Sequence, residues 1–292
     1  MLKQRLVSGI LMGVAAILAA TYLPSPAGWV LILGLGLLAQ FEFYGLMQGM
    51  GIAVFKWIGM GAGAAVISVT FWTVGPSAEQ LALGYQAENL VLAATVLFVL
   101  VWQAFQRKHD QPVATVAITL LGVLYCAVLL NYLTRLAFGW HDGPRLASVG
   151  RTGQLLILYL IAVVKFSDIG AYFTGRLLGR HKLIPRLSPN KTWEGLAGGV
   201  AFSLGVSLLF FFLTGGQLGV VHLQWWDAVL LGLLLAASGV IGDLVESMIK
   251  RNAASKDSGS LIPGMGGVLD VLDSLLFGAP VLYGYAVFFL RG

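Results

Sequence analysis

Residues 226–246, WDAVLLGLLLAASGVIGDLVE, run into 247–267, SMIKRNAASKDSGSLIPGMGG, and these into 268–290, VLDVLDSLLFGAPVLYGYAVFFL. The outer segments are long and apolar enough to cross a bilayer, which takes about 20 such residues. The middle one is polar, with Lys250, Arg251 and Lys256, a Pro263-Gly264 breaker and the glycines Gly266 and Gly267. Acids extend from it into the oily helices on both sides. Asp243 and Glu246 are three apart, as are Asp270 and Asp273, so each pair shares a helix face. Basic residues beside backbone-exposing glycines suit phosphate, and carboxylates beside them suit Mg²⁺. Two like charges on one face repel unless a cation sits between them.

Working outward, the chain repeats the apolar half of this pattern. It is 58% hydrophobic and 11% charged, against about 25% charged in soluble domains. It therefore reads as an all-α, polytopic integral membrane protein forming one domain over residues 1–292. About nine spans are expected, at 6–23, 28–48, 52–74, 89–105, 113–138, 153–174, 195–214, 226–246 and 268–290. The N-terminal run after Lys3 and Arg5 is read as the first span, not a signal peptide. The net charge of +5 speaks to topology and anionic headgroups, and no nucleic-acid partner is expected. The lone Cys126 excludes an intramolecular disulfide, and four dispersed histidines argue against a zinc site.

Lys and Arg are enriched in cytoplasmic loops of membrane proteins. With the N-terminus in the cytoplasm, thirteen of the 18 basic residues fall on cytoplasmic segments. Arg135, Arg145, Arg151 and Arg291 fall on the far side, and Lys165 inside a span. Both polar loops, 175–194 and 247–267, then face the cytoplasm, where nucleotides are. The expected location is the cytoplasmic (inner) membrane, multi-pass, with the functional loops inside.

A carboxylate at the bilayer centre costs about 2.5–3.5 kcal/mol on insertion scales, so intramembrane acids are candidates for function. Asp168 has Lys165 one turn earlier on its helix face, and this pair serves helix association equally well. Asp243, Asp270 and Asp273 flank the phosphate-suited loop and are the metal candidates, with Asp168 and Glu246 secondary. Glu42, in Q-F-E-F-Y, reads as a structural hydrogen-bonding residue or a lipid-side gate. Trp225 and Trp226 read as interface anchors. In the second loop, S-P-N-K-T-W-E-G places Ser188 before a turn-forming Pro189, and Thr192 where it can cap a helix starting near Trp193. Lys191 then lies near a helix N-terminus, where anions are favoured. The five basic residues of this loop also serve as a plain topology signal.

These motifs resemble the phosphatidate cytidylyltransferases, or CDP-diacylglycerol synthases. The resemblance rests on Ser247, Lys250, Arg251, Lys256, Asp257, Pro263, Gly266, Gly267, Asp270 and Asp273 in the C-terminal pattern, and on S-D-I-G-A-Y and H-K-L-I-P-R-L-S-P-N-K-T-W-E-G between Ser167 and Gly195. It covers residues 151–292, the catalytic half; residues 1–150 match only as generic membrane helix. Met265 stands where the family usually has His, and Val271 where it usually has Arg. The resemblance implies CTP and phosphatidic acid as substrates, CDP-diacylglycerol and pyrophosphate as products, Mg²⁺, singly or as a pair, and a homodimer.

On that basis Lys250, Arg251, Lys256, Asp257 and Lys191 are the expected catalytic residues. Ser188, Asn190, Lys191, Thr192, Ser247, Gly266 and Gly267 are the expected substrate-binding residues. Three alternatives stay open: a different lipid phosphate as acceptor, such as a polyprenyl or ether lipid; a catalytically weak or scaffold-like relative; and a transporter using Lys165 and Asp168.

Overall fold

The computed structural model describes residues 13–15, 18–19, 21–75, 77–106, 111–140 and 150–290. Among them, seven helices are long and apolar enough to cross a membrane. They are α1 (Ser25–Gly49), α3 (Ala78–Phe105), α4 (Pro112–Phe138), α5 (Arg151–Leu178), α6 (Trp193–Thr214), α7 (Trp225–Asn252) and α8 (Val268–Leu290). An eighth helix, α2 (Lys56–Thr73), fills the expected span 52–74 but is not one of the seven. Lys56 and its closely spaced glycines hold its hydropathy down. The expected span 6–23 lies mostly outside the described residues. The all-α membrane architecture thus stands, with seven such helices here rather than the nine expected.

Local chemistry sets several boundaries. Pro24 and Pro26 flank the start of α1, and Pro112 opens α4; a proline fits a first turn, whose N–H groups have no intrahelical partner. Ser77 caps α3, its Oγ accepting from Gln80 N at 3.1 Å. That helix begins eleven residues before the expected 89, because the polar first turns of a spanning helix escape a hydropathy reading. Midway, α4 loosens into a π turn over Val123–Val128. Next to it the Tyr44 hydroxyl donates to Thr119 O (2.7 Å), and Gln40 Nε2 donates to Tyr44 Oη (2.9 Å) and Gly59 O (2.8 Å). This knot ties α1, α2 and α4 together.

The strands among the described residues form two antiparallel hairpins. One joins β1 (Lys182–Ile184) to β2 (Ser188–Thr192); the other joins β3 (Gln217–Leu218) to β4 (Val221–His222). Pro189, expected at a turn, lies inside β2 instead, and Leu187 N closes the turn onto Ile184 O at 3.2 Å. A two-stranded ribbon has free edges, where a residue without an N–H costs no ladder bond.

Helix α8 is the hub. It packs against α1, α4, α5 and α7, burying Leu269, Leu272, Leu276, Ala279 and Leu282. By contrast α3 and α6 are mostly apolar and little buried, as suits helices facing lipid.

Arg135, expected on the far side of the membrane, is not a loop charge. It is fully buried in α4, paired with Glu88 of α3. Asn131 Nδ2 donates to Thr70 Oγ1 (2.7 Å) and Glu88 Oε2 (3.3 Å), and the guanidinium lies 4.1 Å over the Tyr85 ring. A buried charge needs such partners. Glu88 lies one residue before the expected span 89–105, inside α3.

Candidate active site

The end of α7, the loop 253–267 and the start of α8 meet the β1–β2 hairpin and the middle of α5. Three carboxylates converge there. Asp243 and Glu246 on α7 and Asp273 on α8 each offer an oxygen, all within 4.8 Å of one another. Glu246 and Asp273 are buried, while the Asp243 side chain stays 36% accessible, so the cluster opens on one side. Asp273 Oδ1 accepts from Ser274 N (2.5 Å) and Ser274 Oγ (3.0 Å). Glu246 Oε2 meets Lys250 Nζ at 2.5 Å and its carboxyl lies within hydrogen-bond reach of the Asp270 carboxyl, but no N–H or hydroxyl reaches its buried Oε1 among the described residues. An acceptor stranded in this way normally costs on the order of 1–3 kcal/mol.

Cations edge the cluster from two directions. Lys191 Nζ reaches from β2 to Asp243 Oδ2 at 2.8 Å, and Ser247 Oγ donates to Asp243 Oδ1 at 3.2 Å. From α5, Lys165 Nζ lies 3.5 Å from Asp168 Oδ2 and donates to Val271 O at 3.0 Å. Asp168 and Lys165 are both within electrostatic reach of Asp273. Lys165 thus brings a cation from α5 to the Val271 carbonyl.

Asp270, expected with the metal ligands, has other partners. Its Oδ1 takes Lys250 Nζ at 2.6 Å, and its Oδ2 accepts from Gly267 N (2.7 Å), Ser258 N (2.8 Å) and Ser258 Oγ (2.8 Å). It closes the first turn of α8 and clamps the loop, while Glu246 occupies the cluster. Lys250, held by two carboxylates, is already neutralised. Lys256 and Arg251 are exposed, as are Lys182 and Arg186 of the hairpin; Arg251 also donates to Leu187 O (3.4 Å) and Ser255 O (3.3 Å), linking the loop to the hairpin. Asp257 is exposed, and its carbonyl accepts from Ser255 Oγ at 2.7 Å.

The remaining expected residues separate by role. Thr192 caps α6 as its position suggested, Oγ1 accepting from Gly195 N at 3.1 Å. Trp193 N bonds His181 O at 3.0 Å, so protein groups already occupy that helix start, and Lys191 turns to the acids. Ser188 and Asn190 lie on β2, half-buried and exposed. Gly266 has φ +101°, and a Cβ there would sit 2.4 Å from Asp270 Oδ2. At Gly267 a Cβ would sit 2.2 Å from Glu42 Oε2. Both glycines thus admit protein carboxylates.

A family model described as "Cytidylyltransferase family" matches residues 3–289 of this chain. The chain belongs to the cytidylyltransferase family. Within the family it is similar to proteins named phosphatidate cytidylyltransferase. The Haemophilus influenzae relative is 32% identical over 313 positions, covering 99% of this chain and all of that protein. The Synechocystis relative is 39% identical over 206 positions, covering 64% of this chain and 67% of the other. The Brucella suis relative is 47% identical over 137 positions, about half of each protein. A membership that runs along nearly the whole chain takes in α1 to α4 as well as the motif-bearing half.

Proposed function

We propose that this protein transfers the cytidylyl group of CTP to phosphatidate, giving CDP-diacylglycerol and pyrophosphate. The observation that carries the reading is the cluster of Asp243, Glu246 and Asp273, with its buried donor-less oxygen, beside Lys191 and the exposed Arg251 and Lys256. A phosphate oxygen of the lipid attacks the α-phosphorus of CTP; the bond to the bridging oxygen breaks, and pyrophosphate leaves with the electron pair. Such transfers need mainly positioning and charge neutralisation. Arg251 and Lys256 meet the triphosphate and follow the departing pyrophosphate. Lys191 exchanges its ion pair with Asp243 for a phosphate oxygen, and Lys250 holds Glu246 and Asp270 in place. The oxygen-only donor set of Asp243, Glu246 and Asp273 fits Mg²⁺, which would supply charge neutralisation at the phosphates it touches. The acyl chains stay in the bilayer, and the nucleotide comes to the loops.

This reading also keeps the loops on the cytoplasmic face of the inner membrane and carries the nine-span topology and the homodimer. A cysteine replacing Lys256 should react with an impermeant maleimide in inverted but not in right-side-out vesicles. Native mass spectrometry in detergent should give twice the chain mass. The activity itself is tested with purified protein, Mg²⁺, labelled CTP and phosphatidic acid, scoring label in the lipid phase. Label only with a polyprenyl or ether-lipid phosphate would move the acceptor; label with none would sink the reading.

A further inference from the structure

Glu42 lies in the half of the chain whose helices read as generic, yet its carboxylate is bonded to the loop 253–267 and the start of α8. Oε1 accepts from Val268 N at 2.9 Å; Oε2 accepts from Leu269 N at 2.9 Å and lies 3.0 Å from Ser258 Oγ. The first N–H groups of a helix have no partner within it, and a negative charge there is further favoured by the helix dipole. Asp270 takes the Gly267 N–H and Glu42 takes the next two, so the first turn of α8 is capped from α1. Ser258 Oγ lies between the two carboxylates, 2.8 Å from Asp270 and 3.0 Å from Glu42. Since a hydroxyl carries one proton, it serves one carboxylate at a time. Asp270 in turn holds Lys250, and Lys250 holds Glu246 in the acid cluster. The chain of contacts thus runs from α1 to the cluster, and Glu42 is only 6% exposed.

We propose that Glu42 is a positioning residue for cytidylyl transfer: it sets the register of the loop and of the α8 start, and through Asp270 and Lys250 the placement of Glu246. This rests on the function proposed above. The carboxylate is required because two backbone N–H groups point at two oxygens. In Glu42→Gln one of those N–H groups faces an amide NH₂, donor against donor, whichever way the amide is turned. Glu42→Asp keeps both acceptors but shortens the reach.

The test compares wild type, Glu42→Gln, Glu42→Asp and Ser258→Ala as full-length protein with Mg²⁺, labelled CTP and lipid phosphate, with hydrogen exchange followed by mass spectrometry. A misplacement of about 1 Å costs on the order of 100-fold in rate. Glu42→Gln should lose about that in kcat with little change in KM for CTP, Glu42→Asp should recover part of it, and Ser258→Ala should lose less than Glu42→Gln. Exchange should rise in peptides covering 256–272 and stay at wild-type level around Glu88 and Arg135. A Glu42→Gln kcat within threefold of wild type overturns the proposal. So does exchange that rises equally at both places, since that marks general unfolding. If wild type turns over no lipid phosphate, the function reading fails, and the exchange pattern still decides whether Glu42 holds the loop.

Discussion

Two buried polar clusters lie along α8, and they are built to opposite rules. Near its far end Glu88 pairs with Arg135, takes donors from Asn131 and Thr70, and has Tyr85 under the guanidinium. Tyr283 of α8 closes that cluster, bonding Tyr85 at 3.4 Å. At the near end Asp243, Glu246 and Asp273 crowd together, with a donor-less oxygen and an open side. Asp270 and Tyr283 are thirteen residues apart, about 20 Å along a helix. One cluster balances charge with charge and is closed to solvent, even though Arg135 Nη1 and Asn131 Oδ1 find no hydrogen-bond partner among the described residues; the other leaves negative charge concentrated where a ligand can reach it. The difference separates a group that joins helices from one that awaits a cation.

The largest expected effect comes from the open cluster. Asp273→Asn should abolish CTP turnover, by 1,000-fold or more at about 1.4 kcal/mol per tenfold. Because it relieves repulsion among like charges, its thermal midpoint in EDTA should equal or exceed that of wild type. Added Mg²⁺ should raise the midpoint of wild type and leave Asp273→Asn unmoved. A Mg²⁺ shift that survives in Asp273→Asn would break the contrast between the clusters.

The closed cluster should respond the other way. Arg135→Met strands the Glu88 carboxylate, a change that costs about 3–5 kcal/mol in buried pairs. The melting midpoint should fall steeply, while the folded fraction keeps wild-type kcat. Replacing both residues, Arg135→Met with Glu88→Leu, should recover most of the loss. A kcat that falls with the midpoint intact would show that this cluster serves the reaction.

A smaller effect sharpens the comparison from inside the site. Val271→Arg adds a cation where Lys165 already donates to the Val271 carbonyl. The account expects kcat to stay level or fall by a few-fold, because like charges would meet. A clear gain would mean that Lys165 does not stand in for the charge.

Periodicity and composition made the membrane class and most helix positions legible, since a spanning helix declares itself by length and apolar content. The loop chemistry was legible through spacing: Asp243 and Glu246 do share a face, and Thr192 does cap. What the sequence could not show were contacts across more than 200 residues. Glu42 reads as one acid in an oily helix, and nothing nearby says that its partners are the Val268 and Leu269 N–H groups. Asp270 and Glu246 could not be told apart by spacing either. Which acid caps the helix and which joins the cluster depends on where Lys250 and Ser258 fall in three dimensions. Arg135 looked like a loop charge because it lies close to a helix end.

The most direct measurement is label transfer from CTP into phosphatidic acid by purified wild type and Asp273→Asn, each with Mg²⁺ and with EDTA. The account predicts labelled CDP-lipid from wild type with Mg²⁺ and none in the other three reactions. Labelled lipid from Asp273→Asn, or none from wild type with any lipid phosphate, would contradict it.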